Sequence, residues 1–126
     1  MENDELLPEI DVEFLQGKGF DYELVPFAAG FYLIIKQYEF PNAYLPRNAD
    51  MLIILPMGYP NAPVDMFFTI PDVKLTDGTF PLNSNQHPNH DGKKWQQWSR
   101  HIVWRIGIDN LRTYFSAIKK ELIKGI

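Results

Sequence analysis

Residues 51–56 read Met-Leu-Ile-Ile-Leu-Pro, an apolar run with no polar residue at odd or even positions. A strand with one face in water alternates, so a strand without alternation must be covered on both faces. The run therefore predicts the central strand of a sheet. A chain of 126 residues has material for one modest core around it. On its N-terminal side, "YELVPF" (22–27) and "FYLIIKQYEF" (31–40) are rich in aromatic and β-branched residues, with Gly30 as the turn point between them. "PNAYLPRNAD" (41–50) and "MGYPNAP" (57–63) read as proline-punctuated loops, and "VDMFFTI" (64–70) as a fourth strand. The pattern predicts a four-stranded antiparallel meander.

Helices are expected at both ends. "PEIDVEFLQGKG" (8–19) has Pro8 suited to a first turn, acids after it and Gly17 and Gly19 to stop it, with Leu7, Ile10 and Phe14 as an apolar stripe. Near the other end, Ile108, Leu111, Phe115, Ile118 and Leu122 fall on one face of a helix of about four turns. Asp109 is the expected N-cap there, without a capping box, because Arg112 occupies the third position. Between strand four and this helix, residues 71–106 are rich in proline, glycine, asparagine and histidine and sustain no period. Their tryptophans argue for an ordered loop rather than a disordered one. Helix, meander, long ordered loop and helix make an α+β domain, expected to span residues 1–126 as a single unit.

Composition removes several functions. The chain has no cysteine, which excludes disulfides, thiolate metal ligands, thiol nucleophiles and thioester intermediates on it. Its net charge is −4 and no basic stripe is present, so nucleic acid is not an expected partner. No apolar run reaches the length of a membrane span or signal segment, so no membrane association and a cytoplasmic location are expected.

Three motifs in order resemble the ubiquitin-conjugating (UBC) fold. "YPNAPVDMFF" (59–68) is similar to the family's Tyr-Pro-x-x-Pro-Pro-x-hydrophobic-x-Phe segment between strands three and four, with Val64 in place of one proline. His87-Pro88-Asn89 matches the tripeptide that precedes the family's catalytic cysteine, and whose asparagine stabilises the oxyanion formed during transfer. Trp104 before the last helix resembles the Trp-Ser-Pro turn before the crossover helix, with Arg105 and Ile106 replacing Ser-Pro. The resemblance covers roughly residues 8–125 and extends to a prokaryotic UBC-like branch. It implies a UBC-like fold and partnership with a ubiquitin-like protein, an adenylating activating enzyme and a JAB-type peptidase. It also implies a bacterial conjugation pathway, with antiviral defence as the suggested setting. The departures are specific. No cysteine follows Asn89, and Gln97 stands eight positions on. The stretch before His87 is longer than in eukaryotic members, and the expected elements stop short of the family's last two helices.

The chemistry in "HPNHDGKKWQQWSRH" (87–101) has to be done without a thiol. Of the three serines, Ser116 falls in the last helix, Ser84 precedes the tripeptide, and Ser99 lies between it and Trp104. A serine hydroxyl needs a base within hydrogen-bond reach. If 98–101 is extended, His101 points to the same side as Ser99, and His87 or His90 could approach by folding. Ser99 and His101 are thus the candidate nucleophile and base, with His87 as a further catalytic candidate and Asn89 or a backbone N–H as oxyanion donor. Arg100 and Trp98 are candidate contacts for the incoming tail, and Asp91 is a candidate to orient a histidine or accept an amine proton. Bland readings stand beside these: Trp95, Trp98 and Trp104 as core aromatics, Asn89 as a loop brace, and Lys93 and Lys94 as solvated charges or self-modification sites. His87, His90, Asp91 and His101 have too loose a spacing for a metal site, and no metal or cofactor is expected. Two main functions remain open, a conjugating enzyme that carries an acyl group on serine and a non-catalytic UBC-like module. A metal-dependent hydrolase ranks behind both.

Overall fold

The computed structural model describes residues 7–100 and 102–124. Helix α1 (Glu9–Gly17) leads into β1 (Tyr22–Phe27), β2 (Gly30–Glu39), β3 (Tyr44–Leu45), β4 (Asn48–Pro56), β5 (Phe67–Ile70) and β6 (Lys74–Leu75). β7 (Asn89–His90), β8 (Lys93–Lys94), β9 (Gln96–Trp98) and helix α2 (Leu111–Lys124) complete the order. The main sheet runs β1-β2-β4-β5-β9, and every neighbouring pair is antiparallel. β3 pairs with β6, and β7 with β8, as short separate ribbons. The architecture is α+β and UBC-like, as expected from the element order.

β4 lies in the middle of the sheet, as its unbroken apolar run requires. Met51, Ile53 and Leu55 join the larger core, while Leu52 belongs to a second cluster on the opposite face. Both helices cover the first face, where Leu15 of α1 and Leu111, Phe115, Ile118 and Leu122 of α2 meet alternate strand residues such as Leu33, Ile35, Phe67 and Trp98. The β1–β2 hairpin turns tightly at Gly30, whose φ is +147°. A Cβ there would sit 2.1 Å from the Leu55 carbonyl oxygen, so the close approach of β2 to β4 admits only glycine.

The sheet has five strands rather than the four expected. The fifth, β9, comes from the middle of the segment read as an aperiodic loop. β5 also starts later than predicted, at Phe67. The Asp65 carbonyl accepts a hydrogen bond from the Tyr114 hydroxyl of α2 instead of a strand neighbour, and Val64 is buried in the core.

The helix boundaries and faces also need correction. In α1 the inward residues are Asp11 and Leu15, and Ile10, expected to lie on the apolar stripe, is exposed. The face is rotated by Asp11, whose Oδ2 accepts the Tyr59 hydroxyl at 2.6 Å and whose Oδ1 accepts the Leu111 N–H at 3.0 Å. Burial, and then donation to Asp11, push the Tyr59 hydroxyl above its ordinary range, so it remains a donor. Helix α2 begins at Leu111, after Ile108, and its N-cap is Asn110 rather than Asp109. Asn110 Oδ1 accepts the Thr113 N–H and Thr113 Oγ1 accepts the Asn110 N–H. This reciprocal box forms because the cap lies one residue later than expected and Thr113, not Arg112, stands third from it. Asp109 is occupied elsewhere: the Arg105 backbone N–H and guanidinium donate to it, and these hydrogen bonds hold its carboxyl down at about 2.

Replacing Asp11 by alanine leaves a helix-terminal N–H and a half-buried hydroxyl without acceptors. Urea unfolding is expected to show a loss of about 3 kcal/mol for Asp11→Ala and about 1 kcal/mol for Tyr59→Phe. Because the two groups share one hydrogen bond, the double variant is expected to lose less than the sum.

Candidate functional site

Residues 83–99 form one bent ribbon. Ser99 N–H donates to the Asn83 carbonyl at 2.9 Å, Gln97 N–H to Gln86 at 2.8 Å and Trp95 N–H to Pro88 at 2.9 Å. Beyond these, Asn89 pairs with Lys94 and His90 with Lys93. The tip is Asp91-Gly92, with φ of 53° and 76°, the left-handed conformations that an Asp-Gly two-residue hairpin turn supplies. That dipeptide was the available signal for the hairpin, obscured by the lack of alternation in its short arms.

The ribbon is attached to the sheet through Gln96. Its buried side chain accepts the Thr69 hydroxyl (2.9 Å) and the Val73 N–H (2.6 Å) on Oε1. It donates from Nε2 to the Val73 and Ser84 carbonyls at 2.9 and 3.1 Å. Trp98 Nε1 in turn donates to Thr69 Oγ1 at 2.9 Å. Every polar atom of Gln96 is thus satisfied, which lets an amide sit in the interior. On the other face, Trp95 is buried and donates to the His90 carbonyl. The His90 ring packs on Phe68 and Tyr32, with centroids 4.6 and 5.9 Å away, and burial lowers its pKa.

This topology sorts the candidate residues. Ser99 is partly exposed, and its Oγ accepts a hydrogen bond from Gln97 Nε2 at 2.9 Å. The backbone is not extended through it: Arg100 N–H donates to the Trp98 carbonyl at 2.9 Å, a three-residue turn centred on Ser99. His101 lies outside the described residues. His87 Nε2 lies 2.9 and 3.0 Å from the two Asp72 carboxylate oxygens. Asn89 is exposed on the ribbon, five residues from the end of the arm opposite Ser99, a separation on the order of 15 Å at the rise of a strand. Asp91, at the tip, is further still. Ser99 is therefore brought together with Gln97 and Gln86, and not with His87, Asn89 or Asp91.

Two expected substrate contacts are enclosed instead. Trp98 has no exposed surface and stacks between Phe67 and Phe40, at 5.3 and 5.8 Å, in the core position also considered for it. Arg100 is 5% exposed, lies over the Trp98 ring and approaches Glu121 at 3.8 Å. Neither offers appreciable surface to a visiting tail. Ser84 is buried and donates to the Pro81 carbonyl, so its hydroxyl is committed to structure. Gln97, eight positions after Asn89 where the family resemblance implies a cysteine, is the polar side chain hydrogen-bonded to Ser99. Among the described residues, no group of three or more His, Asp or Glu is placed to hold a metal ion.

Two helices on one face of an antiparallel sheet, with the Tyr59-Pro60 loop packed on Trp104 ahead of the second helix, define a UBC-like protein. The sequence places it more narrowly: residues 7–125 match the family model described as Prokaryotic E2 family E, and the chain belongs to that family. Membership supports a conjugating-enzyme-like role and, in general terms, interaction with a ubiquitin-like protein and its activating enzyme. No curated protein and no solved structure matches the chain. Among the described residues, no helix is long and apolar enough to cross a membrane.

The neutral His90 ring belongs to the folded hairpin. Its lowered pKa means the unfolded chain binds the proton first, so this contribution is present above the ordinary value near 6.5 and lost as pH falls below it. Imidazole NMR titration is expected to place His90 below that value, and Phe68→Ala, which opens the ring to water, to return it upward.

Proposed function

We propose that the chain is a conjugating-type acyl carrier that holds the C-terminus of a ubiquitin-like protein as an oxyester on Ser99 and passes it to an amine. The observation that carries this reading is the environment of Ser99. It is a partly exposed hydroxyl at the end of β9, held by backbone hydrogen bonds on both sides and facing a fixed amide donor, Gln97 Nε2, at 2.9 Å. In the loading step, Ser99 Oγ forms a bond to the activated carbonyl carbon. Its proton passes to a base, and the adenylate or thiol leaving group departs with the electrons of the broken bond. In the transfer step the acceptor amine attacks the ester carbonyl, loses a proton, and Ser99 leaves and is reprotonated. His101, two residues on, is the proposed base. Gln97 Nε2, which donates to Ser99 Oγ, is the proposed oxyanion donor in place of Asn89, shifting onto the carbonyl oxygen as the tetrahedral centre forms. One such donor is typically worth about 3–4 kcal/mol of barrier. A bacterial pathway containing an activating enzyme and a JAB-type peptidase, in antiviral defence, is the setting we propose.

One observation favours a second reading. The described side chain hydrogen-bonded to Ser99 is Gln97, an amide that cannot take its proton, and the fold does not bring His87 to it. A non-catalytic module that holds the ubiquitin-like protein or its activating enzyme needs no such base.

Reconstitution with a ubiquitin-like protein, an activating enzyme and ATP separates the two. The carrier is expected to form a thiol-resistant, hydroxide-labile adduct that Ser99→Ala abolishes and Gln97→Ala slows by about 100-fold. An adduct undiminished in Ser99→Ala removes this serine from the mechanism. A stable complex without any adduct selects the module.

A further inference from the structure

A concavity of about 1090 Å³ lies between α1, the exposed side of α2 and residues 102–109, and Ser99 is not among the residues that line it. Its floor is apolar: Phe14 and Phe20 pack against Phe115 with centroids 5.6 and 5.5 Å apart, and Trp104 packs on Tyr114. Val103 of its lining is 80% exposed, and Ile106 and Ile108 in the same segment are 64% and 61% exposed, three large aliphatics within six residues. A cluster of this kind, adjoining an open apolar groove, marks a contact surface rather than scattered surface hydrophobicity.

Charge specifies what the surface accepts. The lining carries Lys18, Arg105, Arg112, Lys119 and Lys120 against the acids Glu39, Asp109 and Glu121. All three acids already have cationic partners: Arg47 for Glu39, Arg105 for Asp109, and Arg100 and Lys124 for Glu121. Lys18, Arg112, Lys119 and Lys120 make no ion pair among the described residues. A chain with a net charge of −4 therefore gathers around one groove four cations that make no ion pair among the described residues.

We infer that this groove docks an acidic amphipathic helix of a partner protein. Its aliphatic face would lie on Phe14, Phe20, Trp104 and Val103, and its flanking carboxylates against Lys18, Arg112, Lys119 and Lys120. The stretch of α2 from Arg112 to Glu121 is about 14 Å long, enough to lie alongside two to three turns of a docked helix. A nucleic acid would use the cations but leave the aliphatics and the ring floor unpaired. The inference goes beyond acyl transfer and is independent of Ser99.

The full chain is tested with a fluorescein-labelled 14-residue helical peptide carrying leucines on one face and glutamates flanking it. Fluorescence anisotropy is expected to show saturable binding that weakens with salt, with NMR shift changes mapping to α2 and residues 102–109. Arg112→Glu with Lys119→Glu, both at exposed positions, is expected to weaken binding about tenfold. Val103→Asp weakens it as well, and peptides with lysine for glutamate or serine for leucine bind no better than background. Ser99→Ala binds the peptide as the wild type does. The inference is overturned if the charge-reversed protein binds equally, if the lysine peptide binds as tightly, or if a short single-stranded DNA displaces the peptide at lower concentration. It is also overturned if sedimentation shows a second copy of the chain filling the groove.

Discussion

Asp11 is a carboxylate with almost no contact with water, and three distant parts of the chain meet on it. It sits in the first turns of α1, receives the hydroxyl of Tyr59 from the loop before β5, and receives the first N–H of α2. A buried charge is costly unless its lone pairs are filled by well-placed donors. Here one donor is a phenol kept protonated by burial, and the other belongs to the positive end of a helix. The contact fixes where α2 starts, and with it the angle at which Leu111, Phe115, Ile118 and Leu122 reach the sheet. It also fixes Tyr59, against which Trp104 packs while donating to the Pro60 carbonyl. The loop between β9 and α2 is thereby tied down at its far end.

Gln96 is its counterpart at the near end. It joins β9 to Thr69 of β5, to Val73 after β5 and to Ser84 in the opposite arm of the ribbon. With Trp98 locked between Phe67 and Phe40, the backbone leaves the sheet at a fixed point, and Ser99 is the first residue beyond it. Two satisfied polar clusters, one on a carboxylate and one on an amide, bracket the segment that holds the candidate nucleophile. Its position is set by the core rather than by a mobile loop.

The main sheet was legible because burial on both faces leaves a signature in composition. Met51–Leu55 cannot be anything but central, and Tyr22–Phe27 and Gly30–Glu39 follow from it. What escaped the sequence was decided by single side chains. Asp11 looks like any acid in a first helical turn, yet it is the inward residue and displaces Ile10 to the surface. Asp109 resembles an N-cap, but Arg105 claims it and Asn110 caps instead. β9 has three residues, two of them glutamines, too short for a period to appear, and it is a strand because Phe67, Phe68 and Thr69 offer it an edge. Of the candidate site, sequence order placed Ser99 ahead of Trp104, and the fold leaves it partly exposed beside Gln97. It was not legible that Asp91-Gly92 turns the chain back and carries Asn89 and His87 away from it.

That separation bears on what a UBC-like domain needs once the thiol is gone. A thiol close to its pKa loads and discharges with little help, whereas a serine hydroxyl needs a base and leaves from its ester less readily. Groups that serve a cysteine from the preceding loop do not serve a serine on the opposite arm of the ribbon. Retaining acyl transfer on serine therefore requires new local partners, and the described side chain hydrogen-bonded to Ser99 is that of Gln97. In this fold the His87 side chain pairs with Asp72, and Asn89 is an exposed residue whose backbone pairs with Lys94 in the ribbon. His-Pro-Asn in this chain is one arm of a hairpin anchored to the sheet through the His90 ring on Phe68 and Tyr32, and Ser99 follows the opposite arm.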